Sequence, residues 1–340
     1  MQMNKRLTTI LQYIFFFALG IFLAWWSIRD LSKEDKSEIK EALRHARYLL
    51  LVPVIAILLL SHYLRGLRWR LLIEPLGYKP AITNTFLSVM IGYFTNLALP
   101  RLGEVVRCTV LARYEKVPVD KLIGTVILER IIDVITLLIV FGITLAIQPG
   151  IYSQLIDAFL KSEAEAGEKN NNTGRIILIV IAGLVIISIV AWMIIKKKKI
   201  KDLVGLLKKI MRSVWQGISA IQHLKKRVPF IILSVLIWSL YLLSGYLGFF
   251  ALKETGNYGI KEAFSMLSAG SVGMIVTPGG IGAYAVLIEK TMQLYGLQKG
   301  IALAFGWLLW LVQTGSILIV GIFSFAYLPY FNNKRNNEKS

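Results

Sequence analysis

Apolar residues fall in long runs along the chain, and their periodicity separates three kinds of element. Six runs, at 7–28, 48–64, 122–147, 175–195, 228–252 and 301–328, are apolar on every side. As helices they are long enough to cross a hydrocarbon layer of roughly 30 Å. At 201–227 the pattern changes. Leu203, Leu207, Ile210, Val214, Ile218 and Ile221 recur at three- to four-residue spacing against Lys208, Lys209 and Arg212, which predicts an amphipathic helix on the membrane surface. Two further apolar stretches are broken near their middles, the first by NLALPRLGEVVR (96–107) and the second, 263–297, by TPGGIG (277–282). Proline and glycine end or bend a helix, so Pro100 and Gly103 mark one bend and Pro278, Gly279, Gly280 and Gly282 the other.

The flanks orient these elements. Arg65, Arg68 and Arg70 in RGLRWR follow the second run, and KKKK at 196–199 follows the fourth, whereas the loop 148–174 is acidic and polar. Cytoplasmic loops carry the excess of Lys and Arg, so both termini are expected inside and 148–174 outside. That assignment fails if either broken stretch crosses the membrane once. Each is therefore expected to enter and leave on one side, the first from the cytoplasm and the second from outside. The predicted architecture is an all-α polytopic membrane protein with about six full spans and two re-entrant helical hairpins. It forms a single transmembrane domain over 1–340, with repeat halves at 7–147 and 175–328 and a cytoplasmic tail at 329–340. The second half runs upside down relative to the first, an inverted repeat of the kind that places a transport site where the halves meet.

Composition agrees. Of 340 residues 56% are hydrophobic, and the mean hydropathy is +0.62, too apolar for a soluble domain. A net charge of +19 would suggest nucleic acid in a soluble protein, but here the basic residues gather at the ends of apolar runs, where anionic lipid of the cytoplasmic surface is the expected partner. One cysteine, Cys108, excludes an internal disulfide, and His45, His62 and His223 have no metal-ligand spacing, so no metal or other cofactor is expected. The basic N-terminus leads into an apolar run too long for a signal peptide, which reads as a retained first helix. Trp25 and Trp26 read as interfacial anchors.

Charges inside apolar segments remain to be explained. The third run carries Glu129, Arg130 and Asp133. At about 3 kcal/mol each, three charges near a bilayer centre cost about 8 to 10 kcal/mol on insertion scales. Its 17 Leu, Ile, Val and Phe residues return only about 5 to 10 kcal/mol. These charges must therefore face protein, water or the membrane boundary. Glu129 and Asp133 share a helical face, Arg130 is three residues from Asp133, and Glu104 is three from Arg107. Arg101, Arg107 and Arg130 against Glu104, Glu129 and Asp133 make a balanced set, which allows a structural network or a headgroup site. Guanidinium presents a planar fork to phosphate oxygens, so Arg107, then Arg101 and Arg130, are the candidate phosphate contacts.

PRLGEVVR, then ERIIDVI, then TPGGIGAY together resemble the lysylphosphatidylglycerol synthase transmembrane-region family of flippase-like membrane proteins, over nearly the whole chain. By motif match the resemblance assigns the polar site to Arg101, Glu104, Arg107, Glu129, Arg130 and Asp133, and the bends to Pro100, Gly103, Pro278, Gly279, Gly280 and Gly282. Relatives often carry an acid shortly after the glycines. Here Ala283, Tyr284 and Ala285 stand there, and Tyr284 is the second hairpin's polar candidate. In bifunctional synthases this region moves the modified lipid between leaflets beside a cytoplasmic aminoacyltransferase domain. Only about a dozen residues follow the last span here, so the resemblance implies translocation rather than lysyl transfer. The expectation is a non-enzymatic translocase, in a bacterial cytoplasmic membrane, for an anionic or aminoacylated phospholipid or a prenyl phosphate. A scaffold for a separate lipid-modifying enzyme and a membrane-embedded glycosyl or aminoacyl-lipid transferase are the alternatives. No D-x-D metal motif supports the last.

Overall fold

The computed structural model describes residues 5–29, 31–99, 102–151, 153–154, 224 and 226–338, with the side chains of 5–16, 98 and 336 outside the description. The expected span at 175–195, nearly all of the surface helix 201–227 and of the loop 148–174, and both Pro100 and Arg101 lie outside the described residues.

Every regular element among the described residues is helical. The first half contains α1 (Lys5–Arg29), α2 (Lys33–Arg44), α3 (Leu51–Ile73), α4 (Ile82–Ala98), α5 (Leu102–Glu115) and α6 (Val119–Ile147). The second contains α7 (Arg227–Gly248), α8 (Ile260–Val276), α9 (Ala283–Leu294) and α10 (Lys299–Asn337). Four stretches are long and apolar enough to cross a membrane: Tyr48–Leu76, Val119–Ile147, Arg227–Ala251 and Lys299–Arg335.

Three boundaries depart from the sequence reading. Nothing was expected between the first two runs, yet α2 forms there. Ser32 Oγ accepts from the Asp35 backbone N–H at 3.0 Å, and Asp35 Oδ2 accepts from the Ser32 N–H at 2.9 Å, a reciprocal cap that starts the helix. Next, α3 does not stop at residue 64 but continues to Ile73, so that Arg65 and Arg68 are part of the buried helix. Finally, α10 runs through Pro329 and the expected tail to Asn337. Its last turns have partners of their own, because Arg335 and Asn332 bind the hairpin described next.

α4 and α5 fold onto each other through a short link, as do α8 and α9. Both pairs are tight because glycines sit at the crossings. A Cβ on Gly103 would stand 1.9 Å from the Gly92 carbonyl oxygen, and a Cβ on Gly273 would stand 2.7 Å from Tyr284 Cα. Each pair packs on helices of both halves. α4 packs on α10, the last helix of the second half, and α8 packs on α6, the last described helix of the first, while α3 lies along α7 between them.

Polar clasps hold each pair. Glu115 Oε1 accepts from Asn84 Nδ2 (2.5 Å), the Ala81 N–H (3.0 Å) and Arg335 Nη1 (2.6 Å), and Asn332 and Asn84 exchange bonds of 2.8 Å. For the second pair, Gln148 Oε1 accepts from Ser265 Oγ at 2.6 Å and from the Tyr295 hydroxyl. Thr144 Oγ1 and Ser268 Oγ lie 3.0 Å apart.

Candidate functional site

The site grows from a helical stripe on α6. Leu122, Thr125, Val126, Glu129 and Ile132 are buried, whereas Ile127, Val134, Leu138 and Ile139 on other faces are exposed. Spacings of three and four place Glu129 and Asp133 one turn apart on the inner side. Facing them, α3 presents Arg65 and Arg68, also one turn apart. Gly66 lets α4 come close at this level, since a Cβ there would stand 3.1 Å from Phe86 Cα. α5 supplies Arg107.

Arg65 Nη1 donates to Asp133 Oδ2 at 2.7 Å and to Glu129 Oε1 at 3.2 Å. Arg68 Nη2 donates to Asp133 Oδ1 at 2.7 Å and lies 3.5 Å from Glu129 Oε1, while its Nη1 donates to Ser234 Oγ of α7 at 3.2 Å. Arg107 Nη2 donates to Glu129 Oε2 at 2.5 Å. The Arg107 guanidinium lies 4.5 Å from the centre of the Trp69 ring, and Trp69 Nε1 donates to Thr125 Oγ1 at 2.9 Å. Glu129, Arg68 and Trp69 are fully buried. Three guanidiniums thus share two carboxylates in a buried cluster, where loss of one carboxylate would leave buried positive charge uncompensated.

Of the six residues expected from sequence, the five that are described, Glu104, Arg107, Glu129, Arg130 and Asp133, divide between the buried cluster and an outer pair. Arg107 pairs with Glu129 rather than with its helical neighbour Glu104. Glu104 instead binds Arg130 at 2.8 Å, a half-exposed pair beside the buried cluster. Asp133 takes Arg65 and Arg68 rather than Arg130. The physical reason is that partners on different helices meet across the bundle, while an i,i+3 pair spans only its own helix surface. Arg65 and Arg68, read from sequence as topology-setting flanks, belong to the site. Their signal was available: two arginines three apart, matching two acids four apart on another helix.

The cluster opens on a cavity of about 510 Å³ between α3, α4, α6, α7, α8, α9 and α10. Along α3 its wall changes from Arg65 and His62 to Leu58 and Val54, and along α6 from Arg130 and Asp133 to Val134 and Leu137. Eleven helical residues from Arg65 to Val54 span roughly 16 Å. Met266, Met274, Ile275, Leu309 and Ile317 also line the cavity, with Gln313 between the last two on α10 and Ser271 on α8, and Ile275 is open to the exterior at 71% exposure. His62, Tyr93, Trp238 and Tyr241 surround the polar end.

The second hairpin contributes no charge to this cluster. Gly279 and Gly280 have φ of 60° and 72°, a left-handed bend that side chains resist. Pro278 is buried in the same turn. Gly282 meets α1, where a Cβ would stand 2.5 Å from the Ala24 nitrogen. The bend touches the first hairpin: Leu97 Cδ2 lies 2.9 Å from where a Gly279 Cβ would be. Trp310 Nε1 donates to the Gly279 carbonyl at 2.8 Å. Tyr284 lines the cavity and covers Gly270. Gly103 lies one residue inside α5, where its N–H donates to Asn96 Oδ1 at 2.9 Å, so it serves the helix crossing. Among the described residues no group of His, Cys, Asp and Glu could hold a metal ion.

Apolar helices around a dry ion cluster and an amphipathic cavity define an integral membrane protein. Its chain belongs to the family of the lysylphosphatidylglycerol synthase transmembrane region, which it matches over residues 13–321. It is 33% identical over 89 residues to the UPF0104 membrane protein MJ1595 of Methanocaldococcus jannaschii, covering 25% of this chain and 26% of that one. It is 29% identical over 112 residues to the Glycosyltransferase AglD of Haloferax volcanii, covering 33% of this chain and 18% of that relative. The matches thus span about a quarter or less of each relative's length. No solved structure matches the chain.

Proposed function

We propose that this protein is a lipid translocase, not itself an enzyme, which carries an anionic or aminoacylated phospholipid or a lipid-linked phosphate between leaflets of a bacterial cytoplasmic membrane. The observation that carries this reading is the graded cavity wall, which passes along α3 from Arg65 and His62 to Leu58 and Val54 and is otherwise lined largely by methionine, leucine and isoleucine. A lipid has the same division, so its phosphate would reach Arg65 while its chain stays on apolar wall. The two helix pairs act as re-entrant hairpins of an inverted repeat. Their packing on helices of both halves and their contact at Gly279 support a site shared by both. Glu129 and Asp133 hold the arginines when no lipid is present. A phosphate arriving at Arg65 would share that guanidinium with Asp133, which keeps Arg68 as its other partner.

A second reading has its own observation, the similarity to a protein named as a glycosyltransferase. Under it the chain would hold a lipid-linked substrate for a separate lipid-modifying enzyme.

Leaflet exchange in proteoliposomes separates the two. Headgroup-labelled phosphatidylglycerol, aminoacyl-phosphatidylglycerol and a prenyl phosphate are each followed with and without a pH gradient. The translocase reading expects protein-dependent exchange of at least one. No exchange of any, by folded protein, favours the holding role.

A further inference from the structure

The charge count of the buried cluster narrows the headgroup. Arg65, Arg68 and Arg107 bring three positive charges, Glu129 and Asp133 bring two negative ones, and Arg130 and Glu104 cancel each other. Among the described residues, one positive charge at the base of the cavity therefore has no counter-charge. In a low-dielectric interior that excess favours a ligand with one negative charge. A doubly charged phosphomonoester would recreate the imbalance with opposite sign, and a ligand of net positive charge would enlarge it.

A second observation concerns neutral groups. His62 is 4% exposed, lines the cavity, and has no hydrogen-bond partner at either ring nitrogen. Trp238 Nε1 lines the same wall and also lacks a partner. Buried polar atoms left without partners are uncommon enough to require an explanation. Neutral imidazole offers one donor and one acceptor, and indole one donor. Hydroxyl groups, which both donate and accept, would satisfy all of them. An ammonium group only donates, could meet at most the one imidazole acceptor, and would stand near the Arg65 cation.

We infer that the cavity selects a phosphodiester lipid with one net negative charge and an uncharged, hydroxyl-bearing headgroup. The phosphate lies against Arg65 and the hydroxyls against His62 and Trp238. Aminoacylated phospholipid is discriminated against. This specificity rests on the translocase reading of the same site, and deepens it by naming the headgroup. Two lipid sources share the chemistry, a glycerol-headgroup phospholipid and a sugar joined to a prenyl phosphate.

The test is competition for labelled phosphatidylglycerol on the full chain in phosphatidylcholine nanodiscs. The competitors are phosphatidylglycerol, a prenyl-phosphate hexose, phosphatidylethanol, phosphatidic acid and lysyl-phosphatidylglycerol. Phosphatidylethanol has the phosphodiester charge without the hydroxyls, and phosphatidic acid is a monoester whose second ionisation lies near neutral pH. At least one hydroxylated phosphodiester should compete about tenfold better than lysyl-phosphatidylglycerol or phosphatidic acid, a difference of about one decade in Kd. Whichever of the two does so identifies the source. His62→Leu should remove the advantage of the hydroxylated lipid over phosphatidylethanol, and Trp238→Phe should do so in part, which covers the case that His62→Leu does not fold. Equal or better competition by lysyl-phosphatidylglycerol or phosphatidic acid overturns the proposal, as does failure of both hydroxylated lipids to bind. The predicted binding order without leaflet exchange would defeat the translocase reading and leave the specificity standing. Exchange led by lysyl-phosphatidylglycerol would do the reverse.

Discussion

The two helix pairs are built alike and filled differently. Each crosses at a glycine, each packs on the last helix of the other half, and each is clasped by side-chain hydrogen bonds at one end. The α4–α5 pair delivers Arg107 to a buried carboxylate and Glu104 to Arg130. The α8–α9 pair delivers methionines, Ser271 and Tyr284 to the same cavity and keeps its acid, Glu289, outside it beside Lys290. Two similarly built helix pairs thus differ in what they bring to one cavity, charge from the first and largely uncharged side chains from the second. Burying one ion cluster is tolerable when every carboxylate is shared by guanidiniums, and a second cluster facing it would double the desolvation with no matching gain.

Substitutions break this comparison in a definite order. Glu129→Gln leaves Arg107 without a carboxylate and takes one of two from Arg65 and Arg68, and should cost about 3–5 kcal/mol, read as a lowered Tm or loss of a monodisperse species in detergent. Glu289→Gln, at the buried acid of the second pair, removes a carboxylate that has a lysine at 3.5 Å and, among the described residues, no guanidinium bridge, and should cost clearly less. Gly103→Ala forces backbone apart at the α4–α5 crossing and should lower stability by about 1–3 kcal/mol, with a matching drop in Tm. Gly280→Ala puts a side chain at positive φ in the second bend, for about 1–2 kcal/mol. Ser265→Ala removes one bond of the Gln148 clasp and should cost about 1 kcal/mol. Glu104→Gln, in a half-exposed pair, should change stability by less than about 1 kcal/mol. A Glu104→Gln effect as large as that of Glu129→Gln would erase the distinction between buried cluster and outer pair.

Much of this was legible in the sequence, and the remainder was hidden for identifiable reasons. Apolar runs on every side predicted the helices α1, α3, α6, α7 and α10, because a helix end in lipid announces itself by charge. That same rule misplaced Arg65 and Arg68. A basic residue after an apolar run is ordinarily an anchor, and only the two acids on α6 reveal these as interior. Glu129 and Asp133 were found because their spacing is local to one helix. Their partners were mispaired because cross-helix geometry has no sequence period. α2 was missed although its Ser32 and Asp35 cap is a local signal, since its apolar positions are too few for a core stripe. The helical end of α10 was hidden by Pro329, whose break is overridden by the Glu115 clasp on Arg335.

The central claim is that headgroups pass the Arg65 and Arg107 end of the cavity. Its most direct test is the leaflet-exchange rate of the lipid carried by the wild-type protein, measured in parallel for Arg65→Gln and Arg107→Lys at matched reconstitution and confirmed folding. Exchange reduced about tenfold or more in Arg65→Gln, and less in Arg107→Lys, is the predicted result, because Arg65 lines the cavity and Arg107 stands behind it. Wild-type rates in folded Arg65→Gln would contradict the account and make the cluster a structural network alone.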